Sequence, residues 1–124
     1  MPMLIAHISP PCTAAEKAAL LENSTQAVIK SLGSPLSGVR MMLQEYPADC
    51  SIRAGETGAR QLLYTVYLIK GREPELKAAL IAALSEAAHA SVDLLPNDVR
   101  VVVHDMPKTD IGMGGGLTAV AAGR

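Results

Sequence analysis

Pro2 is the residue with the most unusual chemistry in this chain, because removal of Met1 would leave it with a free secondary amine. The apolar segment from Met3 to Ile8 predicts a buried strand that would hold this amine inside the fold. Apolar surroundings and nearby guanidinium groups both disfavour an ammonium ion and lower its pKa. Pro2 is therefore predicted to be a general base. If Met1 stayed in place, the nitrogen would be a non-basic amide.

Other residues that often carry chemistry lack the necessary spacing. His7, His89 and His104 show no metal-ligand pattern among themselves or with Cys12 and Cys50, so we expect no metal and no cofactor. The glycine-rich run at 112–116 is not followed by Lys-Ser/Thr, and it predicts a turn rather than a phosphate-binding loop. The order of Ser, His and Asp residues indicates no catalytic triad.

Composition restricts the class of protein. The chain has 124 residues, a formal net charge of −1 and 19% charged residues, which is typical of one globular domain over 1–124. Its cations are scattered, so nucleic acid is not an expected partner. No apolar stretch reaches the roughly 18 residues of a membrane span, and no secretory signal pattern is visible, so we expect no membrane partner and a cytoplasmic location.

The chain resembles a duplication. A shift of 60 positions aligns 17–20 with 77–80, both reading Lys-Ala-Ala-Leu, and Val39-Arg40 with Val99-Arg100. The predicted element pattern repeats in the same phase, which is the stronger support. We therefore expect two repeats, at 1–60 and 61–124, each composed of a strand, a helix and a second strand.

Local signals place these elements. Thr13 and Glu16 form a capping box at a helix start, and Gly33 marks the helix end. Pro74 suits the first turn of the second helix, which should continue to about Ser91. The expected strands are the N-terminal one, Val39–Tyr46, Leu62–Ile69 and Val99–Asp105.

Together these elements predict an α/β (α+β) fold. Two β-α-β units, each with parallel strands, would form one four-stranded sheet with both helices on one face. The opposite face would be apolar and uncovered, so we expect a homo-oligomer.

The combination of features is similar to the tautomerase superfamily, and most similar to fused forms of 4-oxalocrotonate tautomerase. It comprises Pro2 on a first strand, the duplicated unit, Arg40 and Arg100 at the second strands, Gly71-Arg72 before the second helix, and the tail 112–117. The resemblance implies a pseudo-two-fold tautomerase fold, a trimer, and a tautomerase that moves a proton in small anionic enol or unsaturated 2-keto acids. Substrates of the 2-hydroxymuconate or phenylenolpyruvate type are expected.

The resemblance also implies roles for individual residues. Pro2 matches the catalytic base, and Arg72 matches an arginine that binds a substrate carboxylate. Arg100 and Arg40 both match an arginine that acts from a neighbouring subunit, with Arg100 favoured. Ile111 stands where the family usually has a phenylalanine in the pocket wall.

Departures from the family pattern limit the number of sites. Cys12 stands in the first repeat where the carboxylate-binding arginine would fall, and Leu62 stands in the second repeat where a second proline would be. Each chain should therefore hold one working site. Hydratase or dehalogenase activity is an alternative of lower rank, since Met113 and Ser37-Gly38 stand where those relatives carry an acid. A non-catalytic oligomeric binding protein is the alternative if Met1 is retained. Arg40 and Arg100 could also be structural residues paired with Glu45 or Asp105.

Overall fold

The computed structural model describes residues 2–124, so any statement about Met1, including its predicted removal, lies outside the described residues. The elements run in the following order: β1 Pro2–Ser9, α1 Ala14–Leu32, β2 Arg40–Glu45, β3 Ile52–Arg53, β4 Glu56–Thr57, β5 Gln61–Ile69, α2 Pro74–Ser91, β6 Val99–Met106, β7 Gly112–Met113 and β8 Leu117–Thr118.

The four long strands form one sheet in the order β2-β1-β5-β6. β1 is parallel to β2 and β5 is parallel to β6, so each repeat is a β-α-β unit as predicted. The two units meet through β1 and β5, which are antiparallel, with Pro2 opposite Leu68 and Ser9 opposite Gln61. This antiparallel pairing relates the two repeats by a pseudo-two-fold axis and confirms the predicted fold.

The two helices start and end differently. The Thr13 hydroxyl accepts the backbone N–H of Glu16, and the Glu16 carboxylate accepts that of Thr13, which completes the predicted capping box of α1. Gly33 then ends α1 in the left-handed region, with φ of 66°. α2 has no side-chain cap and begins with Pro74, whose missing N–H is not needed in the first turn. Within the described residues, neither helix is long and apolar enough to cross a membrane.

The core lies between the helices and one face of the sheet. Alternate residues of β1 and β5 are fully buried against α1 and α2, among them Leu4, Ala6, Tyr64 and Val66. The Tyr64 hydroxyl is buried with them and lies 2.8 Å from the Ser24 hydroxyl on α1. Burial raises the pKa of Tyr64 to about 12, so the phenol remains neutral in the core.

The opposite face of the sheet is left uncovered. Its side chains include Met42 of β2, which is 58% exposed, Val102 of β6 at 43% and Leu63 of β5 at 37%. These residues alternate along their strands with residues that pack on the core, so they point away from the helices. An exposed apolar surface of this kind is typical of a protein interface.

Two ion pairs repeat with the duplication. Lys17 pairs with Glu45 at 3.2 Å, and at the equivalent positions Lys77 pairs with Asp105. Lysines of the helices therefore take both acids that Arg40 and Arg100 could have paired with. The interpretation of those arginines as partners of Glu45 or Asp105 is wrong for the described chain.

Candidate active site

Pro2 is buried at the first position of β1. Because β5 is antiparallel to β1, the end of β5 lies beside the start of β1, and Leu68 is the register partner of Pro2. Arg72 follows β5 in the loop before α2, where its guanidinium donates to the Ile69 carbonyl at 3.4 Å. The antiparallel pairing therefore places Arg72, from the second repeat, at the same edge of the sheet as Pro2.

Arg40 lies at this edge as well. It begins β2 and is the register partner of Met3, so its backbone is one strand away from the start of β1. Its exposed side chain lines a cavity of about 360 Å³ together with Met3, Gly112, Met113 and Gly114. The cavity is open to a small molecule and lies next to the strand that carries Pro2.

A second guanidinium lines the same cavity. Arg124 belongs to the segment after β8, and its backbone N–H donates to the Ala119 carbonyl at 2.9 Å, which holds it against the tail. Sequence reasoning missed Arg124, because no motif marks it and the first repeat has no counterpart. The only available signal was a cation after a glycine-rich tail.

Arg100 lies at the other edge. Its register partner is Leu63, five residues before the partner of Pro2, which corresponds to roughly 17 Å along the strand. Its guanidinium donates to the carbonyls of Asn97 and Val99, each at 3.4 Å. Within one chain, Arg100 and Pro2 are not brought together.

Ile111 is buried, with 7% exposure, directly before the β7 glycine that lines the cavity. Its carbonyl accepts the backbone N–H of Ala119 at 3.0 Å, which fixes the tail across this edge. Ile111 is thus placed near the predicted pocket wall, although it does not itself line the cavity.

The repeat-equivalent edge, where β5 begins, has different chemistry. Leu62 occupies the position equivalent to Pro2, and Cys12 that of Arg72. The backbone N–H of Cys12 donates to the Glu45 carboxylate at 2.7 Å, and this bond, with Lys17, lowers the pKa of Glu45. Burial, followed by the charges of Glu16 and Glu45, raises the pKa of the Cys12 thiol. This edge therefore has neither the base nor the arginine.

The three histidines each contact a neighbouring group. His7 Nδ1 lies 2.7 Å from the Tyr46 hydroxyl, His89 Nδ1 lies 2.8 Å from the Leu94 carbonyl, and His104 stacks on Tyr67. Among residues 2–124, no group of three or more His, Cys, Asp or Glu side chains is arranged to hold a metal ion.

Comparison with known proteins identifies the family of the chain. The family model described as tautomerase enzyme matches residues 63–121. The 2-hydroxymuconate tautomerase of Stutzerimonas stutzeri is 41% identical over 59 residues, which cover 48% of this chain and 92% of that protein. The chain belongs to the tautomerase family. As a tautomerase, it is an isomerase of the keto–enol type.

Solved structures extend the likeness over both repeats of this tautomerase. A fused 4-OT described as a wild-type symmetric trimer is 52% identical, has a TM-score of 0.94, and is matched over 98% of this chain and 99% of its own. A native fused 4-OT is 36% identical, with a TM-score of 0.88 over 98% and 99% of the two chains. The macrophage migration inhibitory factor of Toxoplasma gondii, at 23% identity and a TM-score of 0.78, shares the fold.

Proposed function

We propose that this tautomerase ketonises the dienol form of an unsaturated 2-keto acid, with the amine of Pro2 as the general base after removal of Met1. The observation that carries the proposal is the buried position of Pro2 at the edge of the sheet where Arg72, Arg40 and Arg124 are also found. Substrates of the 2-hydroxymuconate or phenylenolpyruvate type fit this charge pattern. The relatives named 2-hydroxymuconate tautomerase support the first type.

The proposed base must be neutral before it accepts a proton. An ordinary primary α-amine has a pKa of about 7.7–8.0, and the secondary amine of proline is more basic, so its surroundings must lower its pKa. Burial of Pro2 and the positive charge of Arg72 at the same edge both act in that direction. Pro2 would take the enol proton and return it to a carbon of the conjugated chain. General acid–base catalysis of this type contributes about 10²- to 10⁴-fold to a rate.

The arginines would bind and polarise the anionic substrate. A guanidinium binds a carboxylate through two parallel hydrogen bonds and keeps its charge at all working pH values. Arg72 is proposed to bind the carboxylate next to the reacting enol, where it would also stabilise the developing negative charge on oxygen. Arg40 and Arg124 are proposed to hold the far end of the substrate in the cavity that they line.

Arg100 has a place in this scheme only if the chain assembles. The uncovered apolar face and the trimeric fused 4-OT relative support a homotrimer. In a trimer, Arg100 could act on the Pro2 of a neighbouring chain, as we expected from the resemblance. The kcat/KM values of Arg40→Ala and Arg100→Ala, measured in parallel, would show whether Arg40, Arg100 or both bind the substrate in addition to Arg72.

Tautomerisation is favoured over hydration or dehalogenation by the residues around the cavity. Met113 and Ser37 line it, at the two positions where an acid would be needed to activate water. Neither side chain can act as a general base. A hydratase or dehalogenase activity is therefore expected to be much weaker than tautomerisation.

The proposal is tested by intact mass and by kinetics. The mass of the chain produced in its own host should lack Met1, and Pro2→Ala should abolish the ultraviolet absorbance change of dienol ketonisation. Pro47→Ala, the same exchange at an exposed position before β3, is the control and should retain full activity. Retention of Met1 in the active protein, or full activity of folded Pro2→Ala, would refute the mechanism and favour a binding role.

A further inference from the structure

A second cavity, of about 330 Å³, lies at the opposite edge of the sheet, where β1 ends and β5 begins. Side chains of His7, Ser9, Tyr46, Ser51 and Leu63 line it. It is separate from the cavity that Arg40 and Arg124 line, and it is not used in the proposed reaction.

The duplication relates the chemistry of this edge to that of the Pro2 edge. This edge is the repeat equivalent of the Pro2 edge, with Leu62 in place of Pro2, Cys12 in place of Arg72 and Ser51 in place of Ile111. The exchanges remove the base and the carboxylate-binding arginine. They replace an apolar wall residue with a hydroxyl. The counterpart of the Arg40 cavity itself is another cavity at this edge, lined by Arg53, Asp98 and Arg100, whereas the cavity beside Ser51 has an uncharged lining.

The lining offers hydrogen-bonding capacity that neighbouring groups do not use up. The Tyr46 hydroxyl makes one short bond, to His7 Nδ1 at 2.7 Å, so in either tautomer it can form another. The Ser51 hydroxyl donates to Ser9 Oγ at 2.8 Å, which leaves the Ser51 oxygen able to accept. A ligand hydroxyl both donates and accepts, so it matches these two groups.

The side chains of the lining suit an aromatic ring. The rings of His7 and Tyr46 are stacked, with centroids 5.9 Å apart and planes at 27°, and Leu63 adds an apolar surface. Flat aromatic faces and aliphatic side chains are common walls of ring-binding sites. A neutral ligand is favoured over an anion, because no Lys or Arg lines the cavity itself, and Arg53 and Arg100 line the neighbouring cavity instead.

We propose that this second cavity is a binding site for a small uncharged hydroxyaromatic molecule of the phenol class. The ring lies against His7, Tyr46 and Leu63, and the hydroxyl bonds to Tyr46 and Ser51. The proline and the carboxylate-binding arginine of the proposed reaction are replaced at this edge by Leu62 and Cys12, so we expect the site to bind its ligand without carrying out that reaction.

Binding of phenol to the full, assembled protein tests the proposal. Phenol is titrated while the backbone amide resonances of the deuterated protein are followed by NMR. Amides of His7, Ser51 and Gln61 should shift with a dissociation constant on the order of a millimolar, whereas those of Met3, Arg40 and Gly114 should not. Benzoate and toluene, which lack the neutral hydroxyl, should bind at least tenfold more weakly.

Two variants connect the shifts to the cavity. Ser51→Leu fills it and should weaken phenol binding at least tenfold, and Tyr46→Phe should weaken it about threefold by removing one hydrogen bond. Ser85→Leu makes the same size change on α2, outside the cavity, and should bind phenol normally.

Several results would overturn the proposal. These are equal binding of toluene and phenol, unchanged binding by folded Ser51→Leu, shifts confined to the Arg40 cavity, or no shifts because a neighbouring chain fills the space. Tautomerase activity is measured on the same samples. Ser51→Leu should leave this activity unchanged, and Pro2→Ala should leave phenol binding unchanged. The phenol site and the proposed reaction can therefore be refuted independently.

Discussion

Removal of the Arg124 guanidinium should separate dicarboxylate from monocarboxylate substrates. Arg124 and Arg40 line one cavity, and Arg72 lies at the same edge of the sheet. A dicarboxylate such as 2-hydroxymuconate would use Arg72 for one carboxylate and the cavity arginines for the other. A monocarboxylate such as phenylenolpyruvate has no charged group for the cavity.

The size of the effect follows from the exposure of Arg124. Hydrogen bonds to charged groups contribute about 1.5–3 kcal/mol, and screening by solvent reduces this for an exposed side chain. A loss of about 1–2 kcal/mol corresponds to about a 5- to 30-fold decrease in kcat/KM for the dicarboxylate. Most of it should be an increase in KM, because a remote carboxylate is bound equally in the ground state and the transition state.

The assay is the ultraviolet change on ketonisation, measured with both acids for Arg124→Ala. The monocarboxylate should lose less than about threefold, in line with the small effect of a distant surface charge. Lys30→Ala, which removes an exposed cation at the end of α1, should not change either substrate's kinetics. An equal loss for both acids, or no loss for the dicarboxylate, would show that Arg124 does not bind a substrate carboxylate.

Three further predictions concern stability and assembly. Tyr64→Phe leaves the buried Ser24 hydroxyl without its partner and should lower the free energy of unfolding by about 1–3 kcal/mol in urea denaturation; an unchanged value would contradict the role of this bond. The pKa of Glu45 is lowered by bonds from Cys12 and Lys17, so its stabilising contribution is complete above the ordinary glutamate pKa of about 4.3 and is lost as pH falls through the lower pKa of the folded state. The melting temperature of Glu45→Gln should therefore decrease less at acid pH than that of the parent protein. Identical dependence of the two melting temperatures on pH would exclude the effect. Met42→Asp places a charge on the uncovered face and should convert the proposed trimer to smaller species in sedimentation analysis. A trimer that persists in this variant would show that the interface does not include Met42.

Sequence alone determined the features that depend on neighbours along the chain. The capping box at Thr13, the stop at Gly33 and the alternation of buried residues in the strands act over a few positions, so a single sequence contains them. The 60-residue repeat predicted two similar β-α-β units in one sheet, and it contributed to the resemblance to tautomerases. The two short hairpins, β3–β4 and β7–β8, were not predicted, because two-residue strands carry almost no periodic signal.

The tertiary structure alone decided which charged groups share an edge of the sheet. The antiparallel pairing of β1 with β5 puts Arg72 beside the start of β1 and sends Arg100 to the far edge, although both belong to the second repeat. The folded tail likewise brings Arg124 to Arg40 across most of the chain length. These contacts depend on strand order and on where a loop returns, and neither leaves a local pattern in the residues that later meet.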